Sequence, residues 1–450
     1  VAVVAVLAML VSACAARPHG RPGEVWRSDG YGWIYSLSGG QLRAYEVTEI
    51  SCLPGRTLDQ IGPRSPDGVI WFGRKGIPRQ TLRKGPNGQA LLHLVGTAAD
   101  VNLLPLRGLP SQCLRKASDD PRTNFDIFWT TFAENYNSFG RKNVNWAAVR
   151  DQYRPRVNND TGPRELFGIL RAMIEPLGDI HTSISGPDDL EFSGLRPGTR
   201  ELSHRAVRTA VDNHLRELGA TQLQSFAQGK IVYADLPDGR GYLRIDAFEG
   251  YREDDSSYVG GSAELARVLN TVFTPQRVAA LRHLVIDVRL NSGGYDALGL
   301  QVAARLTNRP YVAFAKQSRN DPGDPSRYGR PQTVTVTPAD APRYTGPVSV
   351  LISDLTISAG ETFVQVMMGR SPAPARIGTT TQGVFADNMS RTLPNGWTFT
   401  LGNEKYVGPD GRNYEGVGIP PTVSTPVFTA EELAQNQDSA LDATAPGHPG

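Results

Sequence analysis

Three cysteines and seven histidines in 450 residues leave little material for metal or redox chemistry. No Cys-x-x-Cys and no His-Glu-x-x-His occurs, and Asp179-x-His181 alone supplies too few ligands at a usable spacing, so no metal or cofactor is expected. An excess of one charge is missing too. The formal net charge is +2, with no basic run and no alternation of basic and aromatic residues, which argues against nucleic acid as a partner. The apolar run Val1 to Val11 is too short to cross a bilayer as a helix. Glycine and proline are plentiful, 47 and 33, beside 39% apolar residues, which describes a loop-rich globular protein of two or three domains.

The apolar start ends in Val11-Ser12-Ala13-Cys14, which resembles the lipobox of bacterial lipoproteins, where the chain is cut before a cysteine that becomes lipidated. A secretory cut near Ala16 is the other reading. Either one exports the protein to an extracytoplasmic location; the first anchors it to a membrane through lipid on Cys14. Cys52 and Cys113 then remain as an even pair in an oxidising compartment, and a disulfide between them is expected, with free buried thiols as the alternative.

Composition divides the chain further. Residues 1–22 read as signal and tether. Residues 23–115 alternate strand-like runs (Trp33-Ile-Tyr-Ser-Leu, Val69-Ile-Trp-Phe) with Gly, Pro and Asp turns and read as a small β-rich domain without recognisable chemistry. A helical region spans 122–186 and a connecting segment 187–228. From 229 to 428, strand-like runs such as Leu284-Val-Ile-Asp-Val and Val348-Ser-Val-Leu-Ile alternate with helical patterns, an α/β arrangement. Residues 429–450 read as a final helix and tail, with Thr429 and Glu432 as a capping pair.

The chemistry concentrates in three short segments. Ser358 follows a strand-like run and precedes Ala359, Gly360 and a helix-forming stretch, so a turn exposes its hydroxyl while N–H groups at the helix start face developing negative charge. The plainer reading makes Ser358 a helix cap, with Glu361 completing a capping box. A nucleophile needs a base. His19 and His448 lie in the tails, His204 and His214 in a polar helical stretch, and His93 and His283 beside apolar strands. His181 stands at a helix-to-strand junction, after the break at Gly178, exposed enough to reach a substrate. The third segment, Leu284 to Gly294, reads as a buried strand ending in a glycine pair that allows φ > 0 and an oxyanion-binding N–H, though taken singly an ordinary strand-ending turn is the plainer reading.

Taken in order, Asp179-Ile-His181-Thr, Asp287-Val-Arg-Leu-Asn-Ser-Gly-Gly294, Thr356-Ile-Ser-Ala-Gly-Glu361, Gly378-Thr-Thr-Thr-Gln-Gly383 and Tyr414-Glu-Gly-Val-Gly-Ile-Pro-Pro421 resemble peptidase family S41, the C-terminal processing and tricorn-core serine peptidases. The stretch from Asn124 to Arg156 resembles the helical region before that family's core. The likeness covers roughly residues 120 to 440. It implies a crotonase-like α/β fold, a peptide or protein substrate and a serine nucleophile at Ser358. One branch of the family takes its base from a lysine in Gly-Lys-Gly; here Gly383-Val384-Phe385 puts valine there, which cannot accept a proton. The tricorn-like branch uses histidine and glutamate, matching His181 and Glu415. That branch carries serine before its histidine, where this chain has Ile180, and Thr182 or water is the candidate replacement. The resemblance assigns attack to Ser358, proton transfer to His181 and orientation of the imidazole to Glu415. It places the oxyanion between the N–H of Ala359 and that of Gly293 or Gly294, and leaves Glu361 as a helix cap. Many members insert a PDZ domain before the core; residues 187–228 are too few for one. Relatives of this fold that only bind retinoids or other lipids, and an esterase with the same triad, are the competing readings.

Overall fold

The computed structural model describes residues 24–445 except 320, 322 and 325. Cys14 and the apolar run before it lie outside the described residues.

Eight strands, from Glu24–Ser28 to Asp100–Leu106, pair antiparallel in sequence order, and the last pairs with the first, Val25 opposite Leu106. The β-rich segment is thus a closed barrel, which leaves no unpaired edge strand. Alternation along the strands turns Trp26, Tyr35, Leu42, Phe72, Leu82 and Leu92 into one buried core. The Cys52–Cys113 disulfide is formed. It ties the strand Cys52–Ile61 to the short turn Ser111–Leu114 that leads out of the barrel.

Three helices follow, Pro121–Asn135, Trp146–Tyr153 and Pro163–Ile174. Asp120 starts the first by accepting the Thr123 N–H at 2.9 Å, and Pro121 supplies the fixed φ of its first turn. The buried face of that helix, Phe125, Phe128 and Phe132, shares a core with Phe399 and Leu401. The ring centroids of Phe128 and Phe399 are 4.9 Å apart. These last residues belong to the hairpin Asn388–Thr392 and Thr398–Gly402, contributed from far along the chain.

The centre of the molecule is a seven-stranded sheet in the order Gln224–Phe226, Ile231–Asp235, Arg240–Ile245, His283–Asp287, Val348–Ile352, Ala375–Gly378 and Val423–Ser424. The first three strands are antiparallel, and from Arg240–Ile245 onward all neighbours run parallel. Every residue of Val348–Ile352 is buried because both faces are covered. On one face Leu284, Ile286 and Val350 meet Leu265, Leu269 and Phe363 from the helices Tyr258–Val272 and Ala359–Met368. On the other, Val285 and Leu351 meet Val207, Val211 and Leu215 of the helix His204–Glu217. The segment 187–228 therefore supplies a sheet strand and a covering helix, and no PDZ domain lies there. At the end of the chain the capping box of Thr429 and Glu432 forms. Asp438 then reaches back to Arg289, which is 1% exposed and bonded to both Asp438 and Asp287.

Candidate active site

Three adjacent parallel strands end on the same side of the sheet, and each runs into one of the segments singled out by sequence. His283–Asp287 leads to Gly293 and Gly294, Val348–Ile352 to Ser358, and Ala375–Gly378 to residues 379–387. Open parallel sheets form their clefts at the carboxyl ends of the strands.

Ser358 has φ 55° and ψ −121° and precedes the helix Ala359–Met368. That backbone is costly for a residue with a side chain and persists only where its surroundings impose it. Its carbonyl accepts the N–H groups of Glu361 and Thr362, at 2.8 and 3.0 Å, so the helix begins in order. Its hydroxyl makes no capping bond, which removes the reading of Ser358 as a helix cap. The companion reading fails as well. Glu361 is fully buried and turned away from the helix start, accepting from Thr381 Oγ1 at 2.5 Å, Gly383 N at 2.6 Å and Val384 N at 2.7 Å. Burial pushes its carboxyl up to about 7 against the pull of those bonds. Ala359–Met368 is buried on every side, so a carboxylate within it has to be bonded.

Gly293 and Gly294 take φ of 96° and 124°. A Cβ at Gly293 would stand 2.7 Å from the Ser358 Cβ, so this glycine is what lets the two loops touch. The two glycines are not equivalent as donors. The Gly293 N–H is spent on Asn291 Oδ1 at 2.9 Å, which corrects its candidacy for the oxyanion hole. The Gly294 N–H and that of Ala359 donate to no group among the described residues, and Gly294 is exposed. Asn291 joins the loops, since its carbonyl accepts from Ile357 N at 2.9 Å and its Nδ2 donates to Ile245 O at 2.9 Å.

His181 is only 4% exposed, less accessible than its place at a junction suggests. Asp179 Oδ1 accepts its backbone N–H at 2.8 Å, and Thr400 Oγ1 donates to its carbonyl at 2.7 Å. Its Nδ1 is buried without a partner. Burial pushes the imidazole below its ordinary value, opposed by the charges of Asp179 and Asp387 and by the Ala386 backbone. Among the described residues no hydrogen bond joins Ser358 to His181 or His181 to Glu415. Glu415, expected to orient the ring directly or through a neighbour, accepts from Phe385 N and Ala386 N, each at 3.0 Å. Burial raises its carboxyl well above the usual range, and Asp179 adds to this. Thr182 donates to Asp179 O at 2.7 Å, which commits its hydroxyl proton there.

The chain from Gly383 to Asp387 connects these groups. Each of its five backbone N–H groups is held by a buried carboxylate: two by Glu361, two by Glu415, and that of Asp387 by Glu404 Oε2 at 2.8 Å. Glu361 stands three residues from Ser358 and the Ala386 backbone lies against His181, so one strap spans both. Val384, at the position of the family's lysine, is buried at 1% exposure.

A cavity of about 230 Å³ opens beside Gly294 and is lined by Tyr295, Asp296, Lys316, Asp387 and Glu404 from the core and by Tyr31, Trp33 and Thr97 from the barrel. Its base is an ionic cluster. Lys316 Nζ is 2.7 Å from Asp387 Oδ2 and 3.0 Å from Glu404 Oε1, and Tyr31 donates to Glu404 at 2.6 Å. Burial alone would discharge Lys316; Asp387 and Glu404 override it and hold the ammonium well above its ordinary range. Asp296, buried and near Asp387, is pushed up to about 7. None of this cluster was legible in the sequence, because its members fall in no motif and Tyr31 stands 373 residues from its partner Glu404. The barrel, read as free of chemistry, reaches the site through Tyr31.

Solved structures of the same fold define the class: it is a peptidase fold. A peptidase from Parabacteroides merdae is 25% identical, with a TM-score of 0.59, covering 72% of this chain and 96% of that one. Mature CPAF complexed with lactacystin is 12% identical with a TM-score of 0.54, covering 70% of this chain and 95% of that one, a likeness of fold alone. More narrowly, residues 239–425 match peptidase family S41, and this core belongs to that family. Residues 117–175 match the tricorn protease C1 domain. The barrel lies outside both matched stretches. A search of curated proteins gives no match.

Proposed function

We propose that this chain is a serine endopeptidase that hydrolyses peptide bonds of exported proteins or peptides, with Ser358 as nucleophile and His181 as general base. The observation that carries the reading is the backbone of Ser358, held in a strained conformation with its hydroxyl uncapped between two unspent N–H donors. Ser358 Oγ attacks the substrate carbonyl carbon while His181 takes its proton. The oxyanion is received by Ala359 N–H and Gly294 N–H. His181 returns the proton to the leaving amine, and a water repeats the sequence on the acyl-enzyme. A neutral imidazole is required for this, and burial favours it. Glu415 acts through the strap: by holding Phe385 N and Ala386 N it fixes the backbone against which His181 lies. Export is supported by the apolar start and by the Cys52–Cys113 disulfide, and lipid on Cys14 would anchor the enzyme to a membrane.

A fluorophosphonate probe and a peptide library test the reading together. Labelling of the wild type, its loss in Ser358→Ala, and loss of peptide cleavage by several orders of magnitude in Ser358→Ala and in folded His181→Ala are expected. Glu415→Gln should cost less than either. Absence of labelling and cleavage in folded wild type would favour a binding protein of the same fold, and cleavage of esters alone would favour an esterase.

A further inference from the structure

Two cavities meet at Tyr295. The smaller is the one beside Gly294. The larger, about 840 Å³, runs out over the barrel, and both are lined by Leu94, Thr97 and Tyr295. Arg56, Arg74, Lys75 and Arg79 line the larger cavity, all four are exposed, and no carboxylate lines it. Glu46 feels the charge of Arg56 and Asp255 that of Arg79, but neither faces the groove, and among the described residues none of the four cations forms an ion pair. In a chain whose net charge is only +2, four cations without an ion pair in one groove are a local concentration of positive potential. They repel one another, and an anionic occupant relieves that repulsion.

We propose that this groove binds an acidic segment of the polypeptide being cleaved and guides its chain past Tyr295 into the cleft at Ser358. The inference rests on the peptidase reading of that cleft. Continuity selects the occupant, since the inner cavity opens beside Gly294, a donor of the proposed oxyanion hole, and a polypeptide held there extends outward past Tyr295 into the groove. An extended chain advances about 3.3 Å per residue, so the acidic residues that matter lie several positions from the scissile bond. The barrel, outside both family matches, then serves as the element that selects substrates.

The test pairs two fluorogenic peptides of one scissile sequence, one carrying a run of four glutamates and the other four glutamines, with the run placed in turn on either side. In wild type the acidic peptide should be cleaved with about tenfold higher kcat/KM at low salt, the difference residing in KM and fading at about 0.5 M salt. The double variant Arg74→Glu, Lys75→Glu should bring the ratio to one or below. The same reversal at Arg164 and Arg171, on the helix Pro163–Ile174, should leave it in place. A wild-type ratio of one for both placements, or a ratio indifferent to reversal at 74 and 75, overturns the inference even where Ser358→Ala confirms the peptidase. Anisotropy of the labelled acidic peptide on Ser358→Ala protein separates the converse case: binding that is lost on reversal, without cleavage of any peptide by wild type, supports the groove and sinks the peptidase reading alone. Phosphatidylglycerol vesicles give the remaining arm. Vesicle binding abolished by the reversal, with the peptide ratio at one, makes the groove a membrane contact and overturns the proposal.

Discussion

Replacing Gly293 by alanine adds one methyl group at the closest approach between the two loops of the site. The new Cβ would lie 2.7 Å from the Ser358 Cβ, 3.2 Å from its Oγ and 3.3 Å from the Ile357 carbonyl. Neither side yields freely. The Gly293 carbonyl accepts from Phe248 N at 2.7 Å and its N–H donates to Asn291, while Ile357 is tied to the Asn291 carbonyl at 2.9 Å. Alanine at φ 96° adds backbone strain of about 1–3 kcal/mol, and forcing a methyl into a filled site adds about 1–3 kcal/mol. Relief requires the glycine loop to retreat, and Gly294 N–H moves with it. Losing one such donor costs about 3 kcal/mol of transition-state stabilisation, or roughly 10²–10³ in kcat. Gly293→Ala should therefore lower kcat by that factor on a peptide substrate and slow fluorophosphonate labelling, while guanidinium denaturation shows a fold weakened by about 2–6 kcal/mol. A folded variant with kcat within threefold of wild type would falsify the close packing of these loops as the determinant of the site.

Three further outcomes follow from the buried charges and the disulfide. The His181 pKa lies below its ordinary 6.5, so kcat/KM should be level near neutrality and fall only as pH drops below that value; an acid limb centred above 6.5 contradicts the assignment of the base. Asp438→Ala strips Arg289 of one of its two carboxylates at 1% exposure and should cost about 3–5 kcal/mol in denaturant unfolding, a loss under about 1 kcal/mol refuting the pairing. Reduction of the Cys52–Cys113 disulfide should lower barrel stability by roughly 3–4 kcal/mol, read from the unfolding midpoint with and without reductant; an unchanged midpoint shows that the cross-link constrains nothing.

The linkage of Glu361 runs opposite to that of an ordinary ion-paired carboxylate. Its folded pKa is raised, from 4.5 to about 7, so its contribution to stability is complete below 4.5 and declines as pH rises through 7.

What the sequence made legible is what repeats locally or falls within a motif. The inward alternation of Trp33–Ser38 and Val69–Arg74 announced strands, and the Thr429–Glu432 pair announced a helix start. Closure of the barrel was not legible, because the pairing of Val25 with Leu106 spans the whole segment and leaves no local trace. Ser358, Gly294 and Ala359 could be picked out because their segments stand in order among the motifs of one family; taken singly, each reads as a helix cap or an ordinary strand-ending turn. The buried partners were harder. Glu361 resembles a capping residue until its helix is recognised as enclosed on all sides. Glu415 and Glu404 serve backbone N–H groups, which every residue presents alike. Tyr31 and Lys316 meet only because the barrel docks on the core.

The strap from Gly383 to Asp387 gives this loop an unusual place in the molecule. Loops ordinarily belong to the part of a protein that opens first, exchanging their amide protons while the core stays shut. Here five successive amides are clamped by glutamates that follow Ser358 on its helix, open the strand Glu404–Val407 after the hairpin, and precede Gly416 near the chain's end. No one of these segments can part from the others without releasing amides into a buried space. The strap's amides should therefore exchange with the core and not ahead of it, and heat should extinguish activity in the same step that melts the fold.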